Sequence, residues 1–244
     1  MIYIDIIKTT ILLLLFAVAS YMDIKKREID DKVWIIMFIL SFPVTIYEII
    51  VFKIYLSRIW LLIYLISLGM GILFSYGLYK LSLIGGADAK SMMVLSIVEI
   101  PKFGVYGVLP SLSIFINSIL MSLTFMIFIV SRNIFLLLKG VRIFESYENS
   151  LLEKIIAFFT LTPVIKDEIK KNPYKYMVAV KRIDKGKRID IRIRISSAEV
   201  IDLSDFTGNY IWVSYLMPMI LYIMIGYLLY KLIGCIIFYF IPLY

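Results

Sequence analysis

The sequence has no histidine and a single cysteine, Cys235. Without histidine, Ser-His-Asp and Cys-His catalysis and histidine-ligated metals are closed to it. One cysteine excludes an intramolecular disulfide and any cysteine-cluster zinc site. Charge is also scarce: 18% of the 244 residues are Asp, Glu, Lys or Arg, while 61% are hydrophobic. The mean hydropathy is +0.92. Soluble domains are nearer half apolar, and several runs here exceed the ~18 apolar residues that mark a membrane-spanning helix. Composition therefore gives a polytopic membrane protein, in which any acid–base chemistry falls to carboxylates. The net charge of +8 fits basic loops beside membrane spans. No nucleic-acid-binding motif accompanies it.

Six spans are expected. The first covers about Ile4 to Met22; no Ala-x-Ala-like site ends it and a basic loop follows, so it reads as a span and not a signal peptide. The second covers Val33 to Phe52, with Pro43 as a kink, and the third Ile59 to Leu78, where Gly69, Gly71 and Gly77 allow close helix approach. The fourth starts at Asp88 and meets Pro101 early, so either the helix extends back through the glycines or one end sits inside the bilayer. The favoured expectation is a recessed Asp88 reached by a water-filled cleft. The fifth covers Val105 to Val130, and the last Asn209 to Phe240. Between the fifth and sixth lies a charged insertion. Glu145 to Phe159 has helical spacing with Leu151, Leu152, Ile155, Ile156 and Phe159 on one side. Two strands follow, one on Tyr174, Tyr176, Val178 and Val180, the other alternating Ile189, Ile191, Ile193 and Ile195 with arginines and Asp190, joined by a turn at 184–187. Arg192 and Arg194 could face water, lipid headgroups or a partner. The expected fold class is thus a six-helix membrane protein with a small β-rich insertion, divided as 1–131, 132–208 and 209–244.

Lys25, Lys26, Arg27 and Lys32 dominate the short loops, which puts the loop after the first span in the cytoplasm by the positive-inside rule. The insertion then lies on the same side and both termini lie outside. Parity brings Asp23, ending the first span, and Asp88, opening the fourth, to one membrane depth. Glu48, Glu99 and Asp5 fall towards the opposite end. A carboxylate at membrane depth marks a functional site by default. Two neighbouring carboxylates divide one proton between them: the ionised one takes a proton from water and the neutral one donates to a carbonyl oxygen. Gly85 and Gly86 open the backbone to an extended substrate. The plainer alternatives are a helix cap for Asp88 and local pairing with lysines for Asp23.

Tyr21-Met22-Asp23-Ile24-Lys25-Lys26-Arg27-Glu28-Ile29 resembles the first-aspartate motif of type IV prepilin peptidases, and Gly85-Gly86-Ala87-Asp88 resembles their GxGD motif. The layout is similar to that of the archaeal branch, the preflagellin peptidases. The resemblance implies an aspartic endopeptidase in the cell membrane. It would remove the short basic leader of archaellin or pilin-like precursors at the cytoplasmic face, just before their hydrophobic segment, with no cofactor and no metal. Asp23 and Asp88 would be the catalytic pair, with Gly85, Gly86 and Ala87 as motif backbone. Ala87 departs from the second glycine of GxGD and marks the archaeal pattern. Asp30-Asp31 stands where bacterial members often carry Pro-Asn, and the bacterial cysteine-rich domain and its methyltransferase function are absent. There is no Pro-Ala-Leu element of the presenilin type. Glu28, Asp30 and Asp31 are candidate contacts for the leader's lysines, or simply a solvated loop. The alternatives are a leader peptidase for other pilin-like or binding-protein precursors and, in a different class, an ion- or proton-coupled transporter. Transporters place such groups at the midplane between inverted repeats, and no repeat is evident here.

Overall fold

The computed structural model describes residues 2–55, 58–102, 106–107, 109–144, 147, 149–172, 175–183, 186–189 and 210–240. The chain forms two compact units, residues 1–122 with 218–244 and residues 123–217. The first boundary falls inside one long helix.

The first unit is helical: α1 (Ile2–Lys26), α2 (Asp31–Tyr55), α3 (Arg58–Lys80), α4 (Gly86–Val98), the first part of α5 (Pro110–Leu138) and, from the end of the chain, a helix at Met219–Ile233 followed by a 3-10 turn at Ile236–Tyr239. Four helices, α1, α2, α3 and α5, are long and apolar enough to cross a membrane. Among the described residues α4 and the Met219–Ile233 helix are shorter, so six full spans are not established. At about 1.5 Å per residue, the 13 residues of α4 reach roughly 20 Å, short of the ~30 Å hydrocarbon core. Its surroundings make up the difference. Ala89, Ser91, Met92, Val94, Leu95, Ser96 and Val98 are all buried, so α4 is wrapped by protein on most of its surface. It packs on α2, on α3 and on the Met219–Ile233 helix, and α1 packs on α2 and that same helix. The core joins Leu12, Phe16 and Ala19 of α1 to Trp34 and Met37 of α2, Leu95 of α4, and Ile223 and Tyr227.

Close approach is visible at two glycines. A Cβ at Gly71 of α3 would run into Ser96 of α4, and one at Gly226 would lie 2.7 Å from the backbone oxygen of Ile114 in α5. Gly69 and Gly77 have open space instead, so only Gly71 of the three α3 glycines serves helix approach.

The second unit contains the end of α5, then α6 (Leu151–Thr160), β1 (Thr162–Ile165), α7 (Lys166–Lys171), β2 (Tyr176–Val178), β3 (Val180–Ile183), β4 (Gly186–Ile189) and β5 (Tyr210–Tyr215); the Met219–Ile233 helix completes the series as α8. One antiparallel sheet has the order β1-β5-β2, and β3 pairs with β4 in a hairpin. In register, Thr162 faces Val213 and Val180 faces Ile189. β5 corrects the expected last span: Asn209 to Phe240 is not one helix. Tyr-Ile-Trp-Val-Ser-Tyr is a β-branched and aromatic run, and Ile211, Trp212 and Val213 are buried on both faces at the centre of the sheet. A continuous apolar run does not distinguish such a strand from a span by periodicity. Pro218 then caps α8 as a separate, shorter helix of 15 residues. α6 starts at Leu151, later than the expected Glu145, because Ser150 is its N-cap, closing a capping box with Glu153. Residues 190–195, with Ile191, Ile193, Ile195, Arg192 and Arg194, and the turn residues Asp184 and Lys185 lie outside the described residues.

Candidate active site

Asp23 sits in the last turn of α1. Its own carbonyl accepts the Arg27 backbone N–H at 3.1 Å, and Arg27 takes the left-handed conformation, φ 58°. This single bond closes the helix in the manner usual for a glycine. A left-handed non-glycine residue costs about 1–2 kcal/mol, and here the turn carries the guanidinium back over the helix end, 3.7 Å from the Asp23 carboxylate. The first turn of α8 also comes near enough for the Ile220 backbone to act on that carboxylate electrostatically. Asp23 thus meets a helix N-terminus, where free N–H groups and the helix dipole favour negative charge. The neighbouring lysines do not hold it: Lys25 donates to the Tyr21 hydroxyl and is exposed.

Asp88 lies in the first turn of α4. α3 ends in a reverse turn in which Ser82 is left-handed, φ 55°; the Leu83 N–H reaches the Leu78 carbonyl and the Ser82 N–H that of Tyr79, each at 2.9 Å. This paired pattern terminates a helix sharply. The positive φ falls on Ser82 and not on Gly85 or Gly86. Gly85, extended at φ −70° and ψ 160°, is the N-cap of α4. Its N–H donates to Asp88 Oδ2 at 3.1 Å. A Cβ on Gly85 would lie 3.1 Å from that same oxygen, so the glycine keeps space at the carboxylate. The helix therefore starts at Gly86, with Ala87 next and Asp88 third, and Asp88 serves the cap from inside the helix without being the cap residue. Ser91 Oγ donates to the Asp88 carbonyl at 2.6 Å.

Both aspartates are half-buried, and their carboxylates are close enough to act on each other electrostatically. Asp88 is held by the Gly85 N–H, and Asp23 by the nearby Arg27 guanidinium. Such a pair can share a proton, polarise a carbonyl and activate water. The three other acids of the first loop divide. Asp30 caps α2, its Oδ1 accepting the Lys32 N–H at 2.9 Å. Asp31 pairs with Lys90 of α4 at 2.5 Å, an exposed bridge that ties the two motif-bearing segments together. Glu28 is exposed. Among the described residues no group of three or more Cys, Asp or Glu is arranged to hold a metal ion.

Sequence reasoning missed what fixes the depth of α4. Its last carbonyls are satisfied by side chains of the other helices: Ile97 accepts from the Tyr64 hydroxyl, and Val98 from Thr45 Oγ1 at 2.8 Å and Lys8 Nζ at 3.2 Å. Glu99, the C-cap, accepts from Lys231 Nζ and the Tyr227 hydroxyl, each at 2.8 Å. Lys8 also meets Glu48 at 2.6 Å, and Asp5 bridges Lys231 and Lys102. Lys8 and Glu99 are 0% exposed. Three acids and three lysines thus form one network around the end of α4, with the side chains of Lys8, Glu48, Glu99 and Lys231 buried and Asp5 and Lys102 at its partly exposed edge. The signal available in sequence was the isolated charge inside each apolar run, Lys8, Glu48 and Lys231; their pairing required the fold.

Residues 10–130 match the model of the type IV leader peptidase family. The matched stretch, about half of the chain, contains both aspartates. Over 235 residues it is also 29% identical to the preflagellin peptidase of Methanocaldococcus jannaschii, an alignment covering 89% of each chain.

Proposed function

We propose that this chain is an aspartic endopeptidase with Asp23 and Asp88 as its catalytic pair, and that it removes the basic leader of archaellin- or pilin-like precursors. The observation that carries the reading is two half-buried carboxylates at the ends of α1 and α4, near enough to act on each other electrostatically, with Asp88 oriented by the Gly85 N–H. In the reaction the ionised carboxylate takes a proton from a water molecule as its oxygen attacks the scissile carbonyl carbon. The protonated carboxylate donates to the carbonyl oxygen. The tetrahedral species collapses when the C–N bond breaks: the amine leaves with the proton first taken from water, and one hydroxyl of the diol returns its proton to the other carboxylate, restoring the pair. No covalent intermediate is needed. The preflagellin peptidase relative supports an archaellin-type precursor, and the family supports a pilin-like one. Lys25, Lys26 and Arg27 beside Asp23 support a cytoplasmic position for this end of the helices.

The test is cleavage of a reconstituted precursor whose basic leader precedes a hydrophobic segment. Mass spectrometry is expected to find one new N-terminus immediately before that segment. Cleavage inside the hydrophobic segment, or at several sites, would contradict the assignment.

A further inference from the structure

α6 carries five large apolar side chains on its outer side. Leu151 and Leu152 are 75% and 73% exposed, and Ile155, Ile156 and Phe159 are 40% or more. Their spacing gives one continuous apolar face, while Ala157 and the C-cap residue Leu161 turn into the core of the second unit. The helix is pinned to the end of α5. Asn133 Nδ2 donates to the Phe158 and Leu161 carbonyls, both at 2.7 Å, and Asn133 Oδ1 accepts from Thr162 Oγ1 at 2.7 Å.

That attachment point has a defined depth. The 29 residues of α5 extend about 43 Å at ~1.5 Å per residue, close to the ~40–45 Å of a bilayer with its headgroups. Asn133 lies five residues before the end at Leu138, or about 8 Å inside it, near the boundary of headgroups and hydrocarbon. Ile134 and Phe135, next after Asn133 in α5, are exposed apolar side chains as well. Lys139, exposed and set over the Phe135 ring, exposed Arg142 and half-buried Lys154 accompany α6. The one acid of the helix, Glu153, is turned back to its cap, accepting from the Ser150 N–H at 3.0 Å.

We propose that α6 is an interfacial helix that lies in the bilayer surface, its Leu151–Phe159 face in the acyl boundary and its flanking cations among anionic headgroups. A helix of this kind buries its apolar side about 5–10 Å into the boundary, which matches the depth of its anchor. The second unit is accordingly held to the membrane by its own surface as well as by its covalent connections.

The test uses the full chain with Cys235→Ala, reconstituted in nanodiscs of phosphatidylcholine and phosphatidylglycerol. Single cysteines at Leu152, Ile155, Ile156 and Phe159, and at Lys154, carry spin labels. Oxygen collision relative to a water-soluble nickel chelate is expected to be severalfold higher at the four apolar positions than at 154. The unsubstituted chain gives a second readout: a photoactivatable phospholipid is expected to mark the peptide containing 151–160. Equal nickel access at all five positions, with no lipid label on that peptide, overturns the proposal. So does dipolar broadening at the apolar positions, which would show a second copy covering the face.

Discussion

Around Asp23 and Asp88 single side chains carry separable tasks, and substitution can tell them apart. Arg27 holds a strained backbone and an ion pair to Asp23. Arg27→Gly relieves the first and removes the second, so stability is expected to stay within about 1 kcal/mol of the parent while the cleavage rate falls. Thermal unfolding in detergent beside kcat on one precursor checks both. The first-loop acids separate similarly. Asp30→Ala removes the α2 cap and is expected to cost ~1 kcal/mol with no change in KM. Glu28, exposed and beside the motif, remains the candidate for the leader's lysines. Glu28→Gln is expected to raise KM for a lysine-rich leader and leave a lysine-free leader unchanged; equal effects on both would remove Glu28 from substrate recognition. The two aspartates and the glycine break were legible in sequence because a carboxylate beside an apolar run stands out. Arg27 as the partner of Asp23, and the α8 N-terminus facing it, were not. The first depends on a left-handed turn, and the second on a contact between residues almost 200 positions apart.

At the scale of elements, α4 is the part most dependent on its neighbours. It is too short to cross the hydrocarbon alone, and its far end is held by Lys8, Thr45, Tyr64 and Lys231. Removing one member of a buried ion pair leaves the other charge uncompensated and typically costs 3–5 kcal/mol. Glu99→Gln and Lys231→Met are each expected to lower the unfolding midpoint strongly, and the double variant by less than the sum of the two. Additive losses would mean that the two side chains do not act as a pair. Glu99 is therefore unsuited as a neutral control for the aspartates. Helix contacts give a second contrast. Gly226→Ala drives a methyl against the α5 backbone, with overpacking worth about 1–3 kcal/mol, whereas Gly69→Ala meets open space and is expected to be silent in the same unfolding measurement. Sequence marked α1, α2, α3 and α5 because long apolar runs suffice for them. It misjudged β5 and α8 because an apolar run says nothing of which backbone ladder it joins, and Trp212, stacked on Phe144 and bonded to the Ile143 carbonyl, belongs to a sheet core.

For the whole molecule, the central claim is that catalysis resides in two carboxylates supplied by different helices. The match to the leader peptidase family and the relative's name support a leader peptidase; in the proposed mechanism Asp23 and Asp88 would supply the chemistry. The most direct measurement is cleavage of one precursor by Asp23→Asn and Asp88→Asn beside the parent, in the same membranes. Precursor binding and the unfolding midpoint are followed in parallel. Asparagine keeps the size, and at position 88 can still accept the Gly85 N–H, but it removes the titrating proton. Both variants are expected to fold, bind precursor and fail to cleave, because either carboxylate alone lacks its proton-exchange partner. Cleavage at a rate near the parent's by either variant would contradict the account.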